Sequence, residues 1–290
     1  MLSLSPAEME KKQQVLVRQC ERRVFDLLDQ GRDIFAAMFP QAVVKSKEAA
    51  QSTDANKVLN FKLNQMKKWV RRTLMDAVAV AKSPEPLDIV PESIRLPPQA
   101  NRDLLKFLVK IFTAGRDLND NDYYYISDVT NSLGLEAAQA QKIIDQAQYE
   151  IRKDFFEVMK NEFDEEQCFQ CAVLLLRAIR ADDHVHPAEF RYIENISQLL
   201  KHDQAKIEEV EAKAEANEEL PRVFLTDEFA LYMFKYLTEV VMCDGEYDAR
   251  ESQFLQKIGK ALGYDKHKQD SVIQPVASAM MVKAALFPKA

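Results

Sequence analysis

The stretch ADDHVHPAEF, residues 181–190, recurs in altered form as CDGEYDARES at residues 243–252. At this offset of 62, an aspartate, the apolar residue three positions later and the glutamate seven positions later coincide. A weaker copy, AGRDLNDND at residues 114–122, lies a further 67 positions upstream. Each copy lies between an apolar helical pattern and an amphipathic one. The spacing therefore predicts a repeated helix–turn–helix unit.

The flanking sequence extends each copy to three helices. A third helical pattern closes every unit, which gives predicted helix triplets at about 101–160, 165–220 and 226–288. Only 6 glycines occur in 290 residues, and hairpins and phosphate-binding loops depend on glycine. We therefore predict an all-α fold.

The first third of the chain predicts a separate helical hairpin. Apolar residues recur at steps of three and four in two segments, ending at Pro40 in the first and running from Leu59 to Ala77 in the second. Five of the 11 prolines then fall within residues 83–98, where they disfavour helix. The predicted domains are a hairpin at 1–82, a proline-rich linker at 83–98 and a helical domain at 99–290.

Composition narrows the class of protein. With 47% apolar and 29% charged residues, the chain is typical of a soluble globular protein. It contains no apolar run of the ~20 residues that a membrane span needs, and its N-terminus lacks the pattern of a signal peptide. The four cysteines have no framework spacing, which indicates free thiols in a reducing compartment. We expect a cytoplasmic protein.

Charge is divided unevenly along the chain. Residues 1–98 carry 16 Lys and Arg against 12 Asp and Glu, a net of +4, whereas the remainder carries 23 against 34, a net of −11. Because the larger part is acidic, we do not expect nucleic acid to be the main partner.

The basic excess includes a cluster in the second predicted helix. Lys67, Lys68, Arg71 and Arg72 surround Trp69. One interpretation is a solvated helix face. The other is a surface that docks onto an acidic protein or onto anionic lipid headgroups.

Helix capping explains half of the carboxylates in the repeated turn. Asp248 and Glu251 have the spacing of a capping box, and Glu189 and Asp122 occupy the same position as Glu251 in the other copies. Capping does not explain Asp182 or the equivalent Asp244. Both follow a helix C-terminus, where the helix dipole disfavours an anion.

An acidic side chain at that end of a helix suggests a bound cation. Oxygen ligands at mixed spacing suit Ca²⁺ or another hard divalent cation, whereas the two histidines of the middle copy would favour Zn²⁺. The full EF-hand pattern is absent. The candidate metal ligands are Asp182, Asp183, His184, His186, Glu189, Asp244, Glu246, Asp248 and Glu251.

An enzymatic function has weaker support. Cys168 and Cys171 form a lone CxxC inside an apolar helix, which is typical of core cysteines. The sequence contains no HExxH, P-loop or GxGxxG. A hydrolase remains an alternative, with Asp182 and Glu189 as an acid–base pair or with a metal-activated water at the histidines.

The repeated pattern resembles the TerB family of tellurite-resistance proteins and the N-terminal part of DjlA-type co-chaperones. The pattern A-D-x-x-[VY]-x-x-x-E-x-x-x-[IL] carries the resemblance, which extends over residues 101–290 and is clearest at 165–265. The matching residues are Ala181, Asp182, Val185, Glu189 and Ile193, then Asp244, Gly245, Tyr247, Glu251 and Leu255. The middle copy has Asp183 and His184 in place of the usual Gly-x, and the first copy lacks the aspartate.

The resemblance implies a compact helical bundle built around two such hairpins. It also implies an acidic surface suited to metal binding, and a role in stress-response or membrane-associated assemblies, without an established catalytic activity. We therefore expect a non-catalytic helical adaptor that binds a protein partner, with contact to an anionic membrane and modulation by a divalent cation as further expectations. The alternatives are a divalent-metal sensor and a metal-dependent hydrolase.

Overall fold

The computed structural model confirms the all-α prediction. No strand occurs among the residues that it describes. Within the same residues, no helix is long and apolar enough to cross a membrane. The described residues are 5–38, 52–181, 190–216, 220, 226–243 and 247–288.

Eleven helices lie within the described ranges. They are α1 Pro6–Met38, α2 Ser52–Lys82, α3 Pro98–Phe112, α4 Asp120–Ser132, α5 Ala137–Glu162, α6 Glu165–Ile179, α7 Phe190–Leu199, α8 Gln204–Glu215, α9 Asp227–Val241, α10 Ala249–Ala261 and α11 Lys266–Leu286.

The helix bounds recur at the offsets of the repeated turn. The helices α3, α6 and α9 begin at steps of 67 and 62 residues, and they end at the same steps. The starts of α5, α8 and α11 repeat both steps, as do the ends of α4, α7 and α10. The spacing seen between the short copies of the turn therefore also separates the starts and ends of the surrounding helices.

The same turn ends the second helix of each group. A residue with positive φ follows α4, α7 and α10, namely Gly134 (66°), Lys201 (55°) and Gly263 (79°). In each case the next amide donates to a carbonyl five residues earlier, as in a Schellman motif. The middle copy uses lysine where the others use glycine, although lysine is disfavoured at positive φ.

The first helix of each group is buried on most of its sides. Ten of the 15 residues of α6 are buried, and α3 and α9 are buried almost as completely. A helix of this kind must be covered from several sides to remove its side chains from water. This requirement decides how the remaining helices pack.

The helix α3 is covered by α1, α2 and α4. The predicted apolar stripes of α1 and α2 supply much of that cover, and most of their side chains that the structure describes are buried. Those buried residues are Val17, Cys20, Val24 and Leu28 in α1, and Leu63, Val70, Leu74 and Ala77 in α2. Leu27 and Met66, which belong to the same predicted stripes, are only half-buried.

The helices α6 and α9 cover each other, with α7, α8 and α10 around them. Tyr236 of α9 links the elements of this core. Its hydroxyl accepts a hydrogen bond from the buried amide of Asn195 at 2.9 Å. Its ring packs edge-on against Tyr192 and Phe156.

Division of the chain into compact units differs from the predicted domains. Among the described residues, the first unit holds 5–148 together with 286–288, and the second unit lies within 149–285, so the division falls inside α5. The hairpin therefore belongs to the same unit as α3 and α4.

The proline-rich stretch is non-helical, as predicted, but it is anchored on both sides. The Trp69 indole donates to the Glu92 carbonyl at 2.7 Å, and the Ile94 amide donates to the Ser132 carbonyl at 2.8 Å. The side chain of Leu96 is buried. Composition indicated a linker, whereas the stretch packs within one unit.

Candidate functional site

Two of the nine candidate metal ligands, Asp248 and Glu251, lie among the described residues. The other seven are Asp182, Asp183, His184, His186, Glu189, Asp244 and Glu246, and they lie outside the described residues. In the part of the chain that the structure describes, no group of three or more His, Cys, Asp or Glu side chains could hold a metal ion. The metal site therefore stays a prediction.

The last copy of the turn forms the predicted capping box. Asp248 Oδ1 accepts hydrogen bonds from the amides of Arg250 and Glu251 at 2.7 and 2.9 Å. Glu251 Oε2 accepts the Asp248 amide at 2.6 Å. The Glu251 side chain is buried although it is acidic, so capping places a carboxylate inside the fold. Tyr247 precedes the N-cap residue, in the position of a hydrophobic staple, and packs against the core.

The first copy has the same capping box with a different residue pair. Asn119 accepts from the Asp122 amide at 3.1 Å, and Asp122 Oδ2 accepts the Asn119 amide at 2.9 Å. The equivalent staple residue, Leu118, is buried. The capping role predicted for Asp122 and Glu251 is therefore confirmed, and that of Glu189 stays a prediction.

Arg116 neutralises the buried carboxylate of the first copy. Its guanidinium donates to both oxygens of Asp122, with Nη1 to Oδ2 at 2.5 Å and Nη2 to Oδ1 at 2.8 Å. It also donates to the carbonyls of Asp117 and Ala81. The Asp122 side chain is fully buried, whereas that of Arg116 is about a quarter exposed.

Burial dominates the protonation equilibrium of Asp122. Removal from water raises the pKa of its carboxyl above the usual value, and the hydrogen bonds and charge of Arg116 lower that pKa only in part. A carboxylate in this environment needs a cation beside it at neutral pH. In the first copy the protein supplies that cation itself.

The other copies have no arginine at this position. The repeat offsets place Asp183 and Gly245 where the first copy has Arg116. Nothing in the local sequence around Arg116 predicts this role. The exchange of a basic residue for an acidic one at an aligned position is the signal that could have revealed it.

The N-terminal hairpin packs onto the turn of the first copy. A Cβ atom added to Gly115 would lie 2.6 Å from the Met9 sulfur of α1, so the Met9 side chain packs directly against this glycine. The buried Gln13 of α1 donates to the Ile111 carbonyl at the end of α3. Together with the contact from Arg116 to the Ala81 carbonyl of α2, these interactions place both helices of the hairpin against the turn.

Two of the four predicted docking residues form ion pairs along the line where α1 and α2 meet. Lys67 lies 3.0 Å from an oxygen of Asp29, and Arg71 lies 2.8 Å from an oxygen of Glu21. Both cations also lie within 6 Å of the centre of the Phe25 ring. They hold the hairpin together in addition to any external role.

The other two docking residues face solvent. Lys68 is exposed, and Arg72 is exposed with a long contact of 3.7 Å to Asp76 within the same helix. The four cations therefore do not form one continuous face. They divide into a pair that contacts acidic residues of α1, Lys67 and Arg71, and a pair that makes no ion pair with the described residues of α1, Lys68 and Arg72.

The CxxC cysteines are core residues, as predicted. Cys168 and Cys171 are buried free thiols, and burial raises the pKa of both. A thiol whose pKa is raised stays protonated at neutral pH and is a poor nucleophile.

Comparison with protein-family models, with curated proteins and with solved structures finds no match for this chain. The resemblance to TerB proteins therefore depends on the residues of the repeated turn alone.

We expect Arg116→Met to destabilise the first unit by about 2–4 kcal/mol at neutral pH, because it leaves Asp122 buried beside no cation. Without Arg116 the folded-state pKa of Asp122 rises further, so the free-energy loss should be largest above that pKa. It should shrink as the pH falls through that pKa towards the lower folded-state pKa of the wild type, because the protonated carboxyl needs no cation.

Urea denaturation of both proteins over the range from about pH 7 to about pH 4.5 measures this difference. Arg102→Met is the matched control, since Arg102 is an exposed arginine of α3. A loss for Arg116→Met that equals the control, or that does not change with pH, would contradict the assigned role.

Proposed function

We propose that this protein is a non-catalytic, TerB-like helical adaptor that assembles with a protein partner. The recurrence of helix bounds at steps of 67 and 62 residues supports three related triplets. The second unit holds two of them, and TerB-like domains are built around two such hairpins. The tellurite-resistance or stress-response setting has the sequence resemblance as its support.

The observation that carries the adaptor proposal is the exposure of Ile193 in α7. The repeat offsets align it with Ile126 and Leu255, which are both fully buried. Ile193 is 37% exposed. The middle triplet thus presents to solvent an apolar side chain that the other two cover. An apolar side chain left in water at a position that the related triplets bury gains free energy when a partner covers it.

We expect Ile193→Glu to abolish capture of the protein partner, because a carboxylate cannot be buried in an apolar contact without a large desolvation cost. The measurement is affinity capture from native lysate with and without a chelator. Met281→Glu is the matched control, since Met281 is an exposed apolar residue in α11 of the same unit. The same captured proteins with wild type and both variants would contradict the adaptor proposal.

A divalent-cation sensor is the second candidate, and the role of Arg116 favours it. In the first copy a guanidinium bridges a buried carboxylate and the backbone carbonyls of the turn. The last copy also buries a carboxylate, Glu251, at the same position. Glycine stands there in place of the arginine, and Asp244 precedes it. An external Ca²⁺ ion would supply positive charge to oxygen ligands in place of the arginine.

The acidic residues of the last copy are of the type that binds such an ion. Asp244, Glu246, Asp248 and Glu251 all offer carboxylate oxygens, and Ca²⁺ prefers oxygen ligands. Capping engages Oδ1 of Asp248 and Oε2 of Glu251. In the middle copy, His184 and His186 would shift the preference towards Zn²⁺. The hydrolase alternative depends on this same middle turn, outside the described residues.

If the turns bind a cation, a hundredfold excess over its dissociation constant should stabilise the fold by about 2.7 kcal/mol. Thermal melting with chelator, Ca²⁺, Mg²⁺ and Zn²⁺ should show a rise for the wild type. The rise should be absent from the double variant Asp182→Asn, Asp244→Asn.

A second double variant, Asp26→Asn with Asp88→Asn, removes two exposed carboxylates from other parts of the chain. It should retain the rise in melting temperature. Equal melting temperatures of the wild type in all four conditions would exclude the sensor and leave the turns as capping structures.

A further inference from the structure

The ion pairs between α1 and α2 show which side of each helix faces its neighbour. Lys67 and Arg71 of α2 point towards Glu21 and Asp29 of α1, with Phe25 between them. The buried stripes of both helices face α3. Because a helix turns by 3.6 residues, the remaining arc of each helix points away from the unit.

The outward arc of α1 is basic. Lys11, Arg18 and Arg22 are exposed at steps of seven and four, and Val15 lies exposed among them. These spacings place all four residues on one side of the helix. Sequence analysis did not single out this side, although the spacing of its basic residues was visible.

The outward arc of α2 continues the same pattern. Lys68 and Arg72 are exposed at a step of four, and the apolar side chains of Phe61 and Met75 flank them. Phe61 is 63% exposed and Met75 is 57% exposed. Since α1 and α2 lie side by side, the two arcs form one surface, here named the cationic face. Its members are Lys11, Val15, Arg18, Arg22, Phe61, Lys68, Arg72 and Met75.

Few acidic groups offset the charge of the cationic face. Glu21 and Asp29 are engaged in the ion pairs described above, and Glu10 lies 3.2 Å from Lys82. Asp76 is partly buried, and burial raises the pKa of its carboxyl. Glu8 and Asp26 are exposed acids beside the face. Against these two acids the face carries five exposed cations, which leaves a positive excess.

We propose that the cationic face docks onto the surface of an anionic lipid bilayer. Its apolar side chains are separated by charged ones and form no continuous groove, so it lacks the row of anchors by which a surface binds a partner helix. A bilayer requires no such row. Each Lys or Arg close to an anionic bilayer raises the affinity of the protein for that bilayer about fivefold. Separate apolar side chains can enter the headgroup region.

The two outward arcs also have the dimensions of a surface contact. From Phe61 to Met75, α2 extends about 21 Å at 1.5 Å per residue, and the three cations of α1 extend about 17 Å. Five cations over this area would together give a large gain in affinity for anionic lipid. The apolar side chains at the edges would fix the hairpin parallel to the bilayer.

The direct test is sedimentation of the full chain with vesicles of phosphatidylcholine alone or with about a third of phosphatidylserine. We expect binding to the anionic vesicles that weakens as salt rises, and none to the neutral ones. The triple variant Arg18→Glu, Arg22→Glu, Lys68→Glu should bind the anionic vesicles at least about a hundredfold more weakly. These three cations stand outside the α1–α2 ion pairs, so thermal melting should be unchanged.

The matched control reverses three exposed lysines of the other unit, namely Lys257, Lys260 and Lys268, and should bind as the wild type does. Phe61→Ser should weaken vesicle binding several-fold without altering its salt dependence. Equal binding by the triple variant and the control would show a non-specific charge effect and overturn the proposal. Failure to bind anionic vesicles, together with binding to soluble polyglutamate, would assign the face to an acidic protein instead.

Discussion

The packing of this protein depends on helices that are buried on most of their sides. No single neighbour can remove such a helix from water, because one neighbour covers only one side of it. In the second unit α6 and α9 cover each other, and α7, α8 and α10 cover their remaining sides. In the first unit α3 has no second triplet beside it, and the N-terminal hairpin provides the cover. The hairpin is therefore part of the fold of the first triplet.

The repeated turn combines a requirement of local structure with an electrostatic problem. A carboxylate at the third position of the second helix caps the amide at its start, which holds the turn in place. In the first and last copies that carboxylate is buried, so capping creates a charge that must be balanced. The first copy balances it with Arg116. The last copy has a glycine at the same position and several more acidic residues nearby, and this difference gives the cation proposal its physical basis.

Several features of the fold could be predicted from the sequence because they are local. The 3.6-residue periodicity located α1 and α2, and Asp248 with Glu251 located the start of α10. The repeat was visible in only a few residues, yet its offsets of 62 and 67 describe the helix bounds as well. Gly134 and Gly263 end α4 and α10, and each lies two residues after the last residue of its helix.

The features that sequence analysis missed are all long-range. The prolines of residues 83–98 correctly indicated non-helical backbone, but composition cannot show whether such a segment packs. Lys67 and Arg71 pair with α1, whereas Lys68 and Arg72 face solvent. This difference depends on how α1 and α2 are aligned along their length, and the sequence of either helix alone does not determine that alignment. The sequence around Arg116 does not show that its partner, Asp122, becomes buried when the turn folds. Arg116 therefore resembled an ordinary surface residue.

Native-state hydrogen exchange in graded denaturant tests most directly whether the hairpin and α3 form one cooperative unit. If the hairpin is part of the fold of the first triplet, the most protected amides of α1, α2 and α3 should open with a common free energy and a common dependence on denaturant. The contradictory result would be a hairpin whose amides all open at much lower free energy while those of α3 remain protected. That result would make the hairpin a separate domain, as composition alone suggested.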